Sequence, residues 1–247
     1  MVVISCWLTS VLPTVGQARL KWYRRMYRTV DGIIVFSTNQ RQSLARLLDV
    51  DEHFVRYVPF GVDSDWFAPQ SAGADDGFVL AVGRDRGRDW PTMLAAARAT
   101  GLPTKIACRS SDIAGLAVPH NVEVLGYVDV ESYRSLLHRA RVSVVAISDV
   151  PYPSGQTVAL ESMAAAKATV VTQTSSLIDY LDDRVNALTV PVGDAQALAN
   201  TITEAFEDAA LRNHLGSGAR AAVEKSFNAR AMWAGVAAIL DEVSSRG

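Results

Sequence analysis

The sequence predicts an α/β fold, in which a Rossmann-like parallel sheet carries helices on both faces and follows part of another α/β unit. From residue 78 onward, short apolar and β-branched runs alternate with stretches of helical periodicity. These runs are apolar at nearly every position, which is typical of parallel strands that are buried on both faces. A segment of small polar residues at 69–77 separates this region from a shorter series of the same kind.

The composition is that of an ordinary globular protein of 247 residues, with 49% hydrophobic and 20% charged residues. The formal net charge of −2 gives no overall field that would favour nucleic acid as a partner. The two cysteines, Cys6 and Cys108, have no metal-ligand spacing, so we expect a reducing, cytoplasmic location and no metal site. No apolar run approaches the roughly 18 residues that would span a bilayer.

Residues 1–68 form the shorter series, which we interpret as the end of an N-terminal domain. Val2–Leu8 predicts a buried strand, and its position at the start suggests that the chain begins in the middle of a domain. A helix is predicted over 15–30, and its basic and aromatic residues at 19–28 have two interpretations: a solvated basic face or a peripheral membrane contact. A strand at 32–36 precedes a helix at 40–48, for which Ser37 and Gln40 predict a capping box. A further strand at 55–58 ends in the turn Pro59-Phe60-Gly61-Val62-Asp63.

The second unit is predicted over 78–228, with a separate C-terminal helix over 229–247. Strands are expected at 78–82, 104–108, 122–125, 142–147, 169–172 and 187–190. Helices are expected at about 90–100, 130–140 and 176–182, and another helix is expected to begin near Thr157. The tail from Ala195 reads as helical, with breaks near Gly216 and at 226–228.

The loop between the strand at 142–147 and the helix that follows is the strongest candidate for an anion site. Gly155 and two prolines shape this loop, and the amides of Ser154, Gly155, Gln156 and Thr157 open the helix. Unpaired amides and the positive end of the helix dipole together attract anions. Glu161, one turn into the helix, could accept two hydroxyl hydrogens; the alternative is a solvated surface glutamate.

Two further strand ends carry candidate residues. Gly83, Arg84 and Arg88 follow the strand at 78–82, and arginine's fixed fork suits phosphate oxygens. The alternative is that these arginines pair with nearby acids such as Asp85. Tyr127 and Val128 follow Gly126 at the end of the strand at 122–125.

These motifs resemble the nucleotide-sugar site of the GT-B glycosyltransferases in the "glycosyl transferases group 1" (family 4-like) group. Glu161-Ser162-Met163-Ala164 and the strand at 169–172 match the second half of the family's acidic motif. The first half departs from it, because Pro153 stands where the family has a glutamate that contacts the donor sugar. The turn with Pro59, Gly61, Val62 and Asp63 resembles the end of the family's first domain.

The resemblance implies a role for each candidate residue. Glu161 would hold the ribose hydroxyls, and Gly83-Arg84 together with Arg88 would grip the donor diphosphate. The backbone groups of Tyr127 and Val128 would meet the base, and the helix at 229–247 would cross back onto the first domain.

The implied function is transfer of a sugar from a nucleotide diphosphate sugar to an unknown acceptor, with retention of configuration and without metal or cofactor. Two alternatives stay open. Pro153 and the short first unit favour a non-catalytic nucleotide-sugar-binding or assembly subunit, completed by a partner chain or by self-association through residues 1–68. The other alternative is an unrelated doubly wound protein.

Overall fold

Two parallel sheets organise the chain, and the computed structural model describes residues 1–70 and 75–245. Part of the predicted linker (71–74) and the last two positions of the predicted C-terminal segment (246–247) lie outside the described residues. The first sheet contains β1 (Val2–Ile4), β2 (Gly32–Val35) and β3 (Val55–Tyr57), in that order. The helices beside it are α1 (Leu8–Val11), α2 (Gln17–Tyr27) and α3 (Asn39–Leu48).

The second sheet has six described strands, all parallel, in the order β6-β5-β4-β7-β8-β9. Its strands are β4 (Val79–Val82), β5 (Thr104–Ala107), β6 (Val122–Val124), β7 (Val142–Val145), β8 (Thr169–Thr172) and β9 (Leu188–Val190). The helices that follow its strands are α4 (Trp90–Thr100), α5 (Val130–Arg139), α6 (Gln156–Ala164), α7 (Ala195–Glu207), α8 (Ala209–Ala222) and α9 (Ala229–Ser244).

Both faces of the second sheet are covered, so the predicted fold class is confirmed. Ala81 and Val144 point into a core filled by α4 and α7. Leu80 and Val145 point to the opposite face, where α5 and α6 pack. Side chains alternate between the two faces along each strand. Because helices cover both faces, the central strands β4, β7 and β8 are buried at nearly every position and consist mainly of apolar and β-branched residues.

The strand order places a topological switch point between β4 and β7. The chain leaves β4 towards β5 on one side and reaches β7 on the other side only later. The loops that leave the carboxyl ends of β4 and β7 therefore diverge and open a crevice, which is where ligands bind in open parallel sheets. Both predicted anion-binding loops follow these two strands.

The last helix, α9, packs on the first sheet. Met232 and Val236 join Ile34, Phe36 and Val58 in one apolar cluster.

The turn at 59–63 is where the chain end returns to the first sheet. The amide of Val62 donates to the Phe227 carbonyl at 2.9 Å, and the amide of Ala229 donates to the Val62 carbonyl at 2.8 Å. A Cβ on Gly61 would lie 2.2 Å from the Asn228 carbonyl oxygen, so only glycine fits where these two segments cross.

Several local predictions are wrong. Residues 175–180 form turns and no helix, because Asp179 accepts hydrogen bonds from Thr38 of the first unit. The Ser37/Gln40 capping box does not form, since the Gln40 amide nitrogen donates to the Cys6 carbonyl and to Thr9. The break predicted near Gly216 falls instead at Asp208, which caps α8, whereas the break predicted at 226–228 is present, with Asn228 as the cap of α9.

Three further boundaries differ from the predictions. Gly216 does not interrupt α8, and instead lets the helix approach the Ala166 carbonyl. The cap of α6 is Gly155, two residues before the predicted Thr157. The predicted strand over 2–8 is shorter and partly exposed, with Ile4 41% and Trp7 50% exposed.

Candidate functional site

The two predicted loops meet at the carboxyl end of the second sheet. The loop at 83–89 folds over the end of β7, where the amide of Asp89 donates to the Ala146 carbonyl at 3.1 Å. The amide of Ser148 donates back to the Gly87 carbonyl at 2.8 Å. These bonds hold the arginine-bearing loop beside the start of the loop that leads into α6.

A first cavity of about 300 Å³ opens between these strand ends and the start of α5. Six of the ten candidate residues line it. They are Gly83, Arg84, Arg88, Tyr127, Val128 and Glu161. Residues from three loops and from α6 are thus brought to one place.

A second cavity of about 280 Å³ lies between the two sheets and contains the other four candidates. These are Ser154, Gly155, Gln156 and Thr157. Arg88 lines both cavities, so its guanidinium is a wall that the two share.

Arg88 is a buried cation held by one carboxylate. Its side chain is 4% exposed, and its Nε lies 3.0 Å from the Asp85 carboxylate as an ion pair. Burial lowers the Arg88 pKa, and the negative charge of Asp85 opposes that shift. Because an arginine pKa starts far above neutral, the group stays charged and offers its terminal nitrogens to an anion.

Glycines are required around this guanidinium. A Cβ on Gly83 would lie 1.9 Å from the Arg88 Nε. Gly155 has a φ of +76°, and a Cβ there would meet a Val145 methyl group at 2.5 Å. The backbone can approach the arginine this closely only without side chains at these positions.

Asp85 also fixes the second loop. It accepts hydrogen bonds from the Gly87 amide at 2.9 Å and from the Ser154 hydroxyl. The sequence treats Asp85 only as a competing partner for the arginines, whereas the structure makes it the link between both loops. An acid between two arginines is a weak signal, because nothing in the spacing identifies Ser154 as its partner.

The amides that open α6 are only partly available. The Ser154 amide donates to the Tyr152 carbonyl at 2.7 Å, and the Gln156 amide donates to the Pro153 carbonyl at 3.3 Å. Within the described residues, the amides of Gly155 and Thr157 make no hydrogen bond. The predicted set of four free amides is therefore reduced to two.

Arg84 is exposed at the mouth of the first cavity. Its guanidinium lies 4.9 Å from the centre of the Tyr127 ring, in a cation–π contact. Arg109 donates to the Arg84 carbonyl at 2.6 Å and so holds the loop from the other side.

Tyr127 and Val128 follow a sharp turn at Gly126, whose φ is +70°. The Tyr127 side chain is 69% exposed. In the described part of the chain the backbone groups of these two residues make no hydrogen bond, so they are free to meet a ligand.

Glu161 lies at the inner end of the first cavity, and burial raises the pKa of its carboxyl group to about 7. Interactions with Tyr133 and with the positive charge of Arg88 oppose this shift. The Tyr133 hydroxyl is buried and has no partner in hydrogen-bond geometry among the described residues. The sequence misses Tyr133, whose helical spacing with Leu137 predicts only a core position.

The profile of the family described as "Glycosyl transferases group 1" matches residues 73–208, more than half of the chain. No curated protein matches the chain in sequence. Sucrose-phosphate synthase from Thermosynechococcus elongatus is a similar solved structure, with a TM-score of 0.81 and 22% identity over 100% of this chain and 68% of that one.

Two further solved structures have the same fold. Anabaena HepE, solved in complex with UDP and glucose, has a TM-score of 0.82 and 16% identity over 97% of this chain and 71% of that one. The C-terminal domain of LpcC from Francisella tularensis has a TM-score of 0.57 and 17% identity over 68% of this chain and 100% of that domain. The chain belongs to the glycosyl transferases group 1 family and has the α/β architecture of its GT-B members.

Proposed function

We propose that the chain binds a nucleoside diphosphate sugar and transfers the sugar to an acceptor. The observation that carries this proposal is the convergence of Arg84, Arg88 and Glu161 on one cavity at the switch point of the sheet. A buried cation, an exposed cation and a carboxylate that line one cavity match the diphosphate and ribose of a nucleotide. The complex of the similar HepE with UDP and glucose supports the same ligand class.

Each part of the donor has a matching group. The base meets the free backbone groups of Tyr127 and Val128, and the ribose hydroxyls donate to the Glu161 carboxylate. The diphosphate lies between Arg84, Arg88 and the amides of Gly155 and Thr157. Arginine forks and helix-opening amides are the donors that phosphate oxygens prefer.

The chemical step breaks the bond between the anomeric carbon and the diphosphate oxygen and forms a bond between that carbon and a nucleophilic atom of the acceptor, whose proton passes to the departing diphosphate. Negative charge grows on the departing diphosphate, and the two guanidinium groups are already in place to stabilise it. Arg88 contributes most, because Asp85 and the surrounding glycines fix its position before the donor binds. We propose retention of configuration and no metal requirement, because the arginines supply the positive charge that a metal would otherwise bring.

Calorimetric titration with a panel of nucleoside diphosphates tests donor binding. We expect one or more of them to bind, and we expect Arg84→Ala to weaken that binding by at least about tenfold, since a charge-assisted hydrogen bond is lost. Arg46→Ala is the matched control, because Arg46 is exposed on α3 and, in the part of the chain that the structure describes, its side chain bonds only to Gln42. Absence of binding by every nucleotide would refute the proposal.

A non-catalytic nucleotide-sugar-binding or assembly subunit is the second candidate function. Pro153 favours it, because this wall of the second cavity offers no side-chain hydrogen bond to a sugar. Release of nucleoside diphosphate from a bound donor separates the two functions: turnover supports transfer, and tight binding without release supports the subunit.

Membrane contact through residues 19–28 is a further part of the proposal. Trp22 is 58% exposed, and Arg19, Lys21 and Arg25 are exposed around it. Arg24 and Arg28 are engaged with the Leu47 carbonyl and with Asp49. No described helix is long and apolar enough to cross a bilayer, so the contact would be peripheral.

We also propose a cytoplasmic location for the chain, at the membrane surface. Sedimentation with anionic liposomes, compared between the chain and Trp22→Ala/Arg25→Ala, tests this contact.

Association through the first sheet is also proposed. β1 pairs only with β2 among the described strands, which leaves its other edge open beside the half-exposed Ile4. An open apolar edge can pair with a strand of a partner chain or of a second copy. Light scattering of the chain and of Ile4→Lys tests this: a mass that falls in the variant supports it.

A further inference from the structure

The second cavity has an apolar and aromatic lining. Trp7, Phe36, Phe60, Tyr152 and Pro153 form most of its wall. The ring centres of Trp7 and Tyr152 are 4.7 Å apart, and the ring centres of Phe36 and Phe60 are 5.0 Å apart. These two ring pairs come from both sides of the cleft and leave a space of about 280 Å³.

Two polar groups of this wall are occupied, whereas among the described residues the hydroxyl of Thr157 and the side-chain oxygen of Gln156 make no hydrogen bond. Asp85 already holds Arg88, the Gly87 amide and the Ser154 hydroxyl. The Gln156 side-chain nitrogen donates to the Phe36 carbonyl at 3.0 Å. An occupant of the cavity therefore meets few side chains that can accept or donate a hydrogen bond.

Arg88 connects this cavity to the nucleotide. On the proposed function, on which this inference rests, the diphosphate lies against Arg88 with its nucleoside in the first cavity. Arg88 is the wall that both cavities share, so the far end of the donor emerges into the second cavity. The group attached there is the sugar.

A sugar hydroxyl that enters this cavity without a partner loses its hydrogen bonds to water. Each such hydroxyl weakens binding by about tenfold or more. A methyl group at the same position loses nothing polar and gains contact with the aromatic rings. The lining therefore discriminates by the number of hydroxyl groups.

We propose that the second cavity, where the proposed function places the transferred sugar, selects a deoxyhexose, in particular a 6-deoxyhexose. The methyl group of such a sugar lies against Trp7, Phe36, Phe60 and Tyr152. The remaining hydroxyls reach the exposed side chain of Thr157.

Calorimetry with a matched pair of donors tests this selection. The two donors are the glucose and the 6-deoxyglucose conjugates of the nucleoside diphosphate that binds most tightly in the panel, and their affinities are compared. We expect the 6-deoxyglucose conjugate to bind at least about tenfold more tightly, because one unpaired hydroxyl is removed. Equal affinities, or tighter binding of the glucose conjugate, would overturn the inference while leaving nucleotide binding intact.

A designed carboxylate gives a second test. Pro153→Glu places a hydrogen-bond acceptor in the wall of the second cavity, so we expect it to reduce or reverse the preference for the 6-deoxyglucose conjugate. Pro151→Glu adds the same charge two residues away, at an exposed position outside this cavity, and is expected to leave the preference unchanged. Nucleoside diphosphate binding by both variants shows that they are folded. An unchanged preference in a folded Pro153→Glu protein would contradict the proposal, and failure of every nucleotide to bind the native chain would instead refute the proposed function itself.

Discussion

The Asp85 carboxylate lies 3.0 Å from the Arg88 guanidinium and also accepts a hydrogen bond from the hydroxyl of Ser154, which is 69 residues further along the chain. One acid thus joins the loop after β4 to the loop before α6. It also balances the charge of the cation that both cavities share.

Asp85→Asn should destabilise the protein, since it leaves Arg88 buried without a counter-ion. Removing one partner of a buried ion pair costs about 3 kcal/mol, and Asp85 is partly exposed, so we expect a somewhat smaller loss in the free energy of unfolding. Urea unfolding followed by circular dichroism measures it. Asp149→Asn, at an exposed position in the same region, serves as control. Equal stabilities of the two variants would show that the ion pair is unimportant.

Gly83→Ala should displace Arg88 and abolish most nucleoside diphosphate binding. The new Cβ would lie 1.9 Å from the Arg88 Nε, a distance at which the arginine has to move. Calorimetry measures the loss, which we expect to be at least about tenfold, as for loss of a charge-assisted bond. Gly16→Ala is the control because a Cβ there meets nothing within 4 Å. If Gly83→Ala bound the nucleotide as tightly as the native chain, Arg88 would not be part of the nucleotide site.

Glu161 makes stability depend on pH. Its pKa is raised from 4.5 to about 7 on folding, so the folded state prefers the protonated carboxyl group. The stability that the protonated Glu161 carboxyl group contributes is fully present below about pH 4.5. It is lost as the pH rises towards about 7, because ionisation of this carboxyl group is less favourable in the folded state than in the unfolded state.

Glu161→Gln should therefore be more stable than the native chain at pH 8, by up to about 3 kcal/mol, and close to it at pH 4.5. Urea titrations at both pH values measure the difference. Glu207→Gln, at an exposed position on α7, should show no such change. If the difference in stability between the native chain and Glu161→Gln were the same at both pH values, the raised pKa of Glu161 would be contradicted.

Tyr133→Phe should move this pH dependence upward. Interaction with Tyr133 lowers the Glu161 pKa, so its removal lets the pKa rise above about 7. The stability lost through Glu161 ionisation should then be lost at higher pH. Since the hydroxyl has no partner in hydrogen-bond geometry among the described residues, we expect little change in stability at pH 4.5. Tyr23→Phe, on α2, is the control. A shift towards lower pH in Tyr133→Phe would refute the interaction.

The fold class and the edge of the sheet at which the first cavity lies can be predicted from the order of residues along the chain. Apolar strands alternating with helices specify a parallel sheet, and parallel strands deliver their following loops to one edge. The start of the helical tail at Ala195 also agrees with the structure, where Asp194 caps α7 by accepting a hydrogen bond from the Ala197 amide. These features depend on neighbours within a few positions, so local spacing carries them.

Contacts between groups that are distant in the sequence could not be predicted in this way. Ser154 is occupied by Asp85, and Gln40 leaves its predicted capping box for Cys6 and Thr9. Asp179 binds Thr38 across 141 residues, and that contact holds 175–180 in turns where local periodicity predicts a helix. The second cavity likewise depends on rings that four separate segments bring together. Partners this far apart are selected by packing and by satisfaction of buried polar groups in three dimensions, and the order of residues along the chain does not encode them locally.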